Sequence, residues 1–203
     1  MTVGRALIAY YSFTAQTERA AAELEKTCID GGWEARTCRI DFADGAPEFP
    51  LRPLMGRAME LSLPSLLERP VPVRFDESVL DEAWDLVLVG SPTWLTSPAR
   101  PVSSFLQTPA ARHLLSGTPF GVFVVCRGFW RRNLARVRTL GQRAGGRYVG
   151  GAGFGFDGHY IQTNKAFFAY HTSAGASADG YGLSETTLAS VRAFGRDLLR
   201  EIP

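Results

Sequence analysis

The chain has 203 residues, 45% of them hydrophobic and 21% charged. A globular chain of this length buries about 70% of its extended surface, so disordered and fibrous classes are excluded. Twenty-two basic against twenty acidic residues leave a formal charge of +2, too balanced to indicate a nucleic-acid binder.

Short apolar runs alternate with amphipathic stretches, the pattern of a parallel sheet covered by helices. Ala6–Tyr11 reads as the first strand, and residues 17–30 as a helix with Ala20, Ala21, Leu24 and Cys28 on one face. Gly31-Gly32 ends that helix, and Trp33–Ile40 makes the second strand. Residues 42–80 are broken by Pro47, Pro50, Pro53, Pro64, Pro70 and Pro72, and read as loop with one helix around Met55–Ser62. The run Asp85–Gly90 is a central strand, apolar as expected when both faces are covered.

A helix from about Ala99, interrupted by Pro109, leads to the strand Phe120–Val125. The helix over 129–144 turns Trp130, Leu134, Val137 and Gly141 inward. Tyr148–Phe156 is a glycine-rich fifth strand. A Gly/Ser/aromatic stretch, 157–183, precedes a last helix with Leu188, Val191, Phe194, Leu198 and Ile202 on one side. Right-handed crossovers turn this series into an α/β fold, an open doubly wound five-stranded parallel sheet. Residues 1–203 form one domain, embellished at about 42–80 and 157–183. Ligands of such sheets bind beyond the carboxyl ends of the strands, where strand order reverses, so the loops after strands one, three and four matter most.

Loop one, Ser12-Phe13-Thr14-Ala15-Gln16-Thr17, gathers three hydroxyls and an amide at a helix N-terminus. Neutral donors and a helix dipole suit a phosphate; simple N-capping by Ser12, Thr14 or Thr17 is the alternative. Tyr10, Ser12, Ala15, Thr17, Ala21 and Leu24 fall on a pattern that resembles the first-strand signature of flavodoxins and related FMN-dependent reductases. Ala9 departs from the large apolar residue usual there, and Ala15 stands where many members carry glycine. The resemblance implies the strand order 2-1-3-4-5 and an FMN phosphate held by Ser12, Thr14, Ala15, Gln16 and Thr17.

Loop two, Ser91 to Pro98, looks like the stretch of that family that wraps the isoalloxazine ring. A planar tricycle needs an aromatic or apolar wall and a few amide donors. The resemblance makes Trp94 that wall, with Pro92, Thr93 and Leu95 contributing backbone contacts; a Trp lidding the core is the alternative. Loop three, Cys126-Arg127-Gly128-Phe129-Trp130, then lies along the other ring edge. There Cys126 sits at the strand end, Arg127 or Gly128 lends N–H donors, Phe129 neighbours the flavin and Trp130 belongs to the core. This loop also resembles flavodoxin-like proteins named for dialkylresorcinol condensation, which carry Cys-Arg followed shortly by Trp.

Rival constellations are present. Cys126 to Arg132 satisfies the C-x5-R of cysteine phosphatases, but Phe129 and Trp130 are bulky for an anion cradle and Asn133 replaces the usual Ser or Thr. Gly153 to Gly158 reads G-x-G-x-x-G without a following helical pattern, so the dinucleotide mechanism lacks its dipole. His113, His159 and His171 have no metal-ligand spacing. Seven arginines (Arg127, Arg131, Arg132, Arg136, Arg138, Arg143, Arg147) either neutralise an anion such as a nicotinamide-cofactor phosphate or form a solvated helix face.

The resulting expectation is an FMN-dependent NAD(P)H oxidoreductase that reduces a quinone or similar aromatic small-molecule acceptor, with Tyr160 or His159 donating a hydrogen bond to it. A flavodoxin-type electron carrier and a non-flavin module (phosphatase or accessory protein) are the alternatives. Cys28, Cys38 and Cys126, odd in number and without C-x-x-C spacing, point to free thiols in the cytoplasm. Met1–Tyr11 lacks a secretory leader's pattern, and no run approaches the roughly 18 apolar residues of a membrane span. Residues 157–183 suit either a lid over the ring or a homodimer contact.

Overall fold

The computed structural model describes residues 3–45, 60, 63–65, 67, 69–156, 162, 165, 169 and 182–202. Its five main strands are β1 (Arg5–Tyr10), β2 (Glu34–Arg39), β5 (Leu86–Trp94), β7 (Pro119–Cys126) and β8 (Arg147–Gly155). They pair in parallel in the order β2-β1-β5-β7-β8. Counted as main strands, this is the expected 2-1-3-4-5.

Strand parity builds two cores. Leu7, Ala9 and Tyr11 point to one face of the sheet, Ala6, Ile8 and Tyr10 to the other. The first face packs against α2 (Arg100–Phe105), α3 (Pro109–Leu115) and α4 (Trp130–Arg143), through residues such as Val102, Phe105, Leu115 and Val137. The second packs against α1 (Gln16–Asp30) and α5 (Glu185–Glu201), through Leu24, Cys28, Val191 and Leu198. Chain direction across the sheet therefore reverses between β1 and β5, and their outgoing connections leave on opposite faces. That divergence opens the crevice in which such folds hold ligands.

Local chemistry explains most boundaries. Pro109, expected as an interruption, opens α3 at its first position while the Thr108 hydroxyl accepts from Ala111 N at 3.2 Å. The Ser184 hydroxyl caps α5 by accepting from Thr187 N at 3.2 Å. The glycines of β8 admit α4: a Cβ at Gly153 would lie 2.2 Å from the Trp130 ring. Trp130 thus packs against the first core, as its helical spacing indicates.

Two expectations need correction. The segment 42–80 is not loop apart from one helix. It contains β3 (Asp41–Phe42) paired antiparallel with β4 (Val73–Arg74), and a 3-10 turn at Glu77–Asp81 capped by Asp76. Two-residue strands leave no periodicity to read. The second correction concerns loop two. β5 does not stop at Gly90 but runs to Trp94, turns at Leu95-Thr96 and returns as β6 (Ser97–Pro98). Ser91 and Pro92 still pair with Val124 and Val125 of β7, which carries the strand beyond its apolar run. The helix expected at Met55–Ser62 lies outside the described residues apart from Glu60.

Candidate functional site

The three loops singled out above lie at the carboxyl ends of β1, β5 and β7, adjacent strands in the sheet. One backbone feature unites them. Among the described residues the non-glycine residues with positive φ are Ala15 (60°), Leu95 (56°) and Phe129 (59°), one in each loop. The left-handed conformation costs an L-residue roughly 1–2 kcal/mol. Such strain persists where the surrounding structure over-determines it, and it gathers at functional sites.

Loop one ends on Ala15, which precedes α1 and offers it no side-chain cap. Ser12 is buried, and its hydroxyl oxygen accepts from Glu18 N at 3.2 Å, so part of the capping alternative is realised. Arg19 N bonds to Ala15 O at 3.0 Å. The N–H groups of Gln16 and Thr17, which a helix's first turn cannot satisfy itself, find no acceptor among the described residues. Thr17 is buried beneath the turn and Thr14 is half-buried on it.

Gln16 is occupied elsewhere. Its amide oxygen accepts from Leu183 N at 3.0 Å and from Arg19 Nη1 at 3.2 Å, while its Nε2 lies 3.4 Å from Thr14 O. It ties loop one to the chain entering α5. Arg39, at the end of β2, escaped the sequence reading. It donates through Nη2 to Ser12 O at 3.0 Å, through Nη1 to Glu18 at 3.3 Å and through Nε to Asp41 at 2.9 Å. Arg39 thus ties the Ser12 carbonyl to the end of β2. Tyr10 donates to Glu18 Oε1 at 3.4 Å; burial first, then the Glu18 charge, pushes its hydroxyl up to about 12, so it stays a donor at neutral pH.

Loop two is a tight hairpin. Trp94 is only 8% exposed and packs among Tyr11 (5.7 Å, edge-on), Phe13 (6.1 Å, edge-on) and Phe42 (6.4 Å, stacked). It occupies the core-lid position given as the alternative. The large apolar side chain turned outward here is Leu95, 49% exposed. The Ser91 hydroxyl closes the hairpin base, accepting from Ala99 N at 3.1 Å and donating to Pro92 O at 3.0 Å.

Loop three runs from Cys126 through half-buried Arg127 and Gly128 to Phe129, which is 65% exposed. Cys126 is buried, and the backbone N–H groups of Gly128 and Trp130 and the Thr93 hydroxyl favour its thiolate electrostatically. Burial outweighs them and pushes the thiol up to about 11, so it remains protonated at neutral pH. Asn133, 0% exposed, reaches across from α4 and donates to Pro92 O at 3.1 Å and Thr93 Oγ1 at 3.0 Å. Asn133 thus ties α4, and with it loop three, to loop two. Asn133 entered the sequence reading only as a mismatch to the phosphatase pattern. A buried amide on the inner face of an amphipathic helix was the signal that could have found it.

The phosphatase arrangement does not form. A protonated Cys126 is a poor nucleophile. Arg132, which would have to bind the anion, stands exposed on α4. His159 and Tyr160, with Tyr170 and His171, lie outside the described residues.

No protein-family model matches the chain, and no curated protein matches its sequence. Solved structures do match. A flavoprotein in complex with FMN from Lactobacillus acidophilus NCFM aligns with a TM-score of 0.58 at 17% identity, over 74% of this chain and 93% of that one. The fold is flavodoxin-like. A flavodoxin from the domain Archaea aligns over 98% of both chains at TM-score 0.56 and 10% identity. Oxidised Flavodoxin 2 from Bacillus cereus aligns over 98% of this chain and 99% of its own at TM-score 0.56 and 14% identity. Among the described residues no helix is long and apolar enough to cross a membrane.

Proposed function

We propose that this edge of the sheet binds FMN and that the protein is a flavoprotein oxidoreductase, passing hydride from NAD(P)H to a quinone or similar aromatic acceptor. The observation that carries the reading is the placement of the three strained residues at the carboxyl ends of β1, β5 and β7, of which β1 and β5 flank the point where strand order reverses in a flavodoxin-like sheet. FMN fits what lies there. The unaccepted N–H groups of Gln16 and Thr17, the α1 dipole and the Thr14 hydroxyl suit the phosphate. Leu95 and Phe129 offer the apolar flanks that a planar ring needs, and Trp94 supports Leu95's hairpin from below. Ser12, Ala15, Pro92, Thr93, Arg127 and Gly128 complete the proposed contacts, whereas Gln16 serves through its backbone.

When bound, FMN supplies the redox chemistry. The protein's part is to bind, orient and shield. Arg39 and Ser12 hold loop one, with the Gln16 and Thr17 N–H groups unaccepted among the described residues, and Asn133 fixes the relative position of the other two loops. The visible absorption of the purified protein, before and after addition of FMN and gel filtration, is the deciding measurement. Oxidised-flavin bands that travel with the protein are expected, and NAD(P)H–quinone turnover is then the assay that separates a reductase from a carrier. A protein that retains no FMN overturns the reading.

A further inference from the structure

The charges of this protein are segregated. Arg5, Arg36, Arg39, Arg192 and Arg200 each form an ion pair with an aspartate or glutamate, whereas Arg19, Arg69, Arg74, Arg100, Arg112 and Arg196 stand apart from acids among the described residues, scattered over several elements. Residues 127–147 hold seven arginines and no acidic residue. Of these, Arg131, Arg132, Arg138 and Arg143 are exposed on α4, and Arg147 is exposed at the start of β8. Among the described residues none of these five has an acidic partner. Two sit over aromatic rings: Arg131 over Trp130 at 5.1 Å and Arg138 over Tyr148 at 4.6 Å. Stacked guanidinium groups hold their charge in place at little entropic cost.

This face begins at the candidate site, because Phe129, 65% exposed, immediately precedes α4. We propose that the arginine face of α4, which starts beside Phe129, docks a small acidic electron-acceptor protein that is reduced as the NAD(P)H-reduced flavin is reoxidised. The inference rests on the FMN reading for what is exchanged, and on this chain's charges for the docking. A dinucleotide phosphate calls for two or three donors converging on one point. Here the charges spread along a helix about 20 Å long and onto the start of β8. Exposed arginines set over aromatic rings match the composition of a protein interface. Opposite charge on the partner raises the encounter rate and makes it salt-dependent.

The test uses an acidic two-iron ferredoxin as probe, fluorescently labelled and titrated with the full chain, both FMN-loaded and FMN-free. Binding is expected to weaken about tenfold between low and physiological salt. The double reversal Arg131→Glu/Arg132→Glu, next to the site, should lose about tenfold in affinity. Arg143→Glu/Arg147→Glu, at the far end, should lose less, and Arg200→Glu on α5 should change binding less than twofold. Circular dichroism and gel filtration check that each variant folds.

Equal affinity of the α4 and α5 variants overturns the proposal, as does undetectable binding by the wild type. Equal affinity for a double-stranded oligonucleotide of matched charge also overturns it, since the face is then a general polyanion surface. Failure of the FMN reading shows separately, as a protein that takes up no flavin while the titration of its FMN-free form still reports on docking.

Discussion

The two edges of the sheet solve one backbone problem in opposite ways. At the amino ends of the strands, the turns into β2, β7 and β8 each use a positive φ, and each places glycine there: Gly32 (82°), Gly117 (76°) and Gly145 (97°). At the carboxyl ends, the turns out of β1, β5 and β7 also use positive φ, yet they place Ala15, Leu95 and Phe129 there. Glycine adopts this conformation without steric cost, whereas each of the others forgoes roughly 1–2 kcal/mol. One edge is relaxed, and the other retains side chains at strained positions. Strain kept beside an exposed Leu and an exposed Phe marks the edge that has work other than folding.

The largest effect is expected from removing what holds the strained edge in place. Asn133→Ala deprives Thr93 of its donor and Pro92 O of one of two, and should cost about 1–3 kcal/mol in chemical denaturation. Its FMN affinity should fall with it, because loops two and three lose their tie. Unchanged affinity at reduced stability would make the network purely structural.

Next comes the relaxed edge. Gly145→Ala puts a Cβ into a left-handed turn and 3.2 Å from Ser116 Cα, so a loss of about 1–2 kcal/mol is expected with FMN affinity intact. Gly32→Ala, where nothing lies within 4 Å, isolates the backbone part of that cost.

The reverse exchange is smaller and of opposite sign. Ala15→Gly or Phe129→Gly should gain about 0.5–1 kcal/mol, the relief of strain less the added freedom of the unfolded chain. Phe129→Gly should at the same time weaken FMN binding. If Phe129→Gly destabilises the protein, the strain argument fails at that position.

The smallest effect concerns pH. Folding raises the Cys126 thiol from its ordinary 9.0 to about 11, so between these values the folded state keeps a proton that the unfolded state has released. Stability should therefore be complete below about pH 9 and fall as pH rises toward 11. Thermal unfolding across that range should show a shallower decline in Cys126→Ala than in the wild type. At pH 7.5 iodoacetamide should alkylate Cys126 far more slowly than a free thiol, consistent with the rejection of a phosphatase nucleophile.

Much of this was legible in the residues themselves. Apolar runs such as Asp85–Gly90 and helical spacing such as Leu188–Val191–Leu198 depend on near neighbours and on which face is buried, so strand count, helix count and the loops to examine follow from local pattern. Which side chains those loops present did not follow. Trp94 looked like the ring wall, but it meets Tyr11 and Phe42, residues far away in the sequence, and lies under the hairpin. Gln16 looked like a phosphate ligand and instead holds Leu183, 167 positions away.

The sequence by itself determined the alternation of strands and helices, the two-faced core and the concentration of unusual residues after strands one, three and four. The tertiary structure alone decided that Leu95 and Phe129 face outward, that Arg39 and Asn133 brace the loops, and that Arg131, Arg132, Arg138 and Arg143 of α4 lack acidic partners among the described residues. The physical reason is range. Periodicity records burial within one element, whereas a hydrogen bond or an ion pair between distant elements depends on how the sheet brings them together, and neither partner carries a local mark of the other.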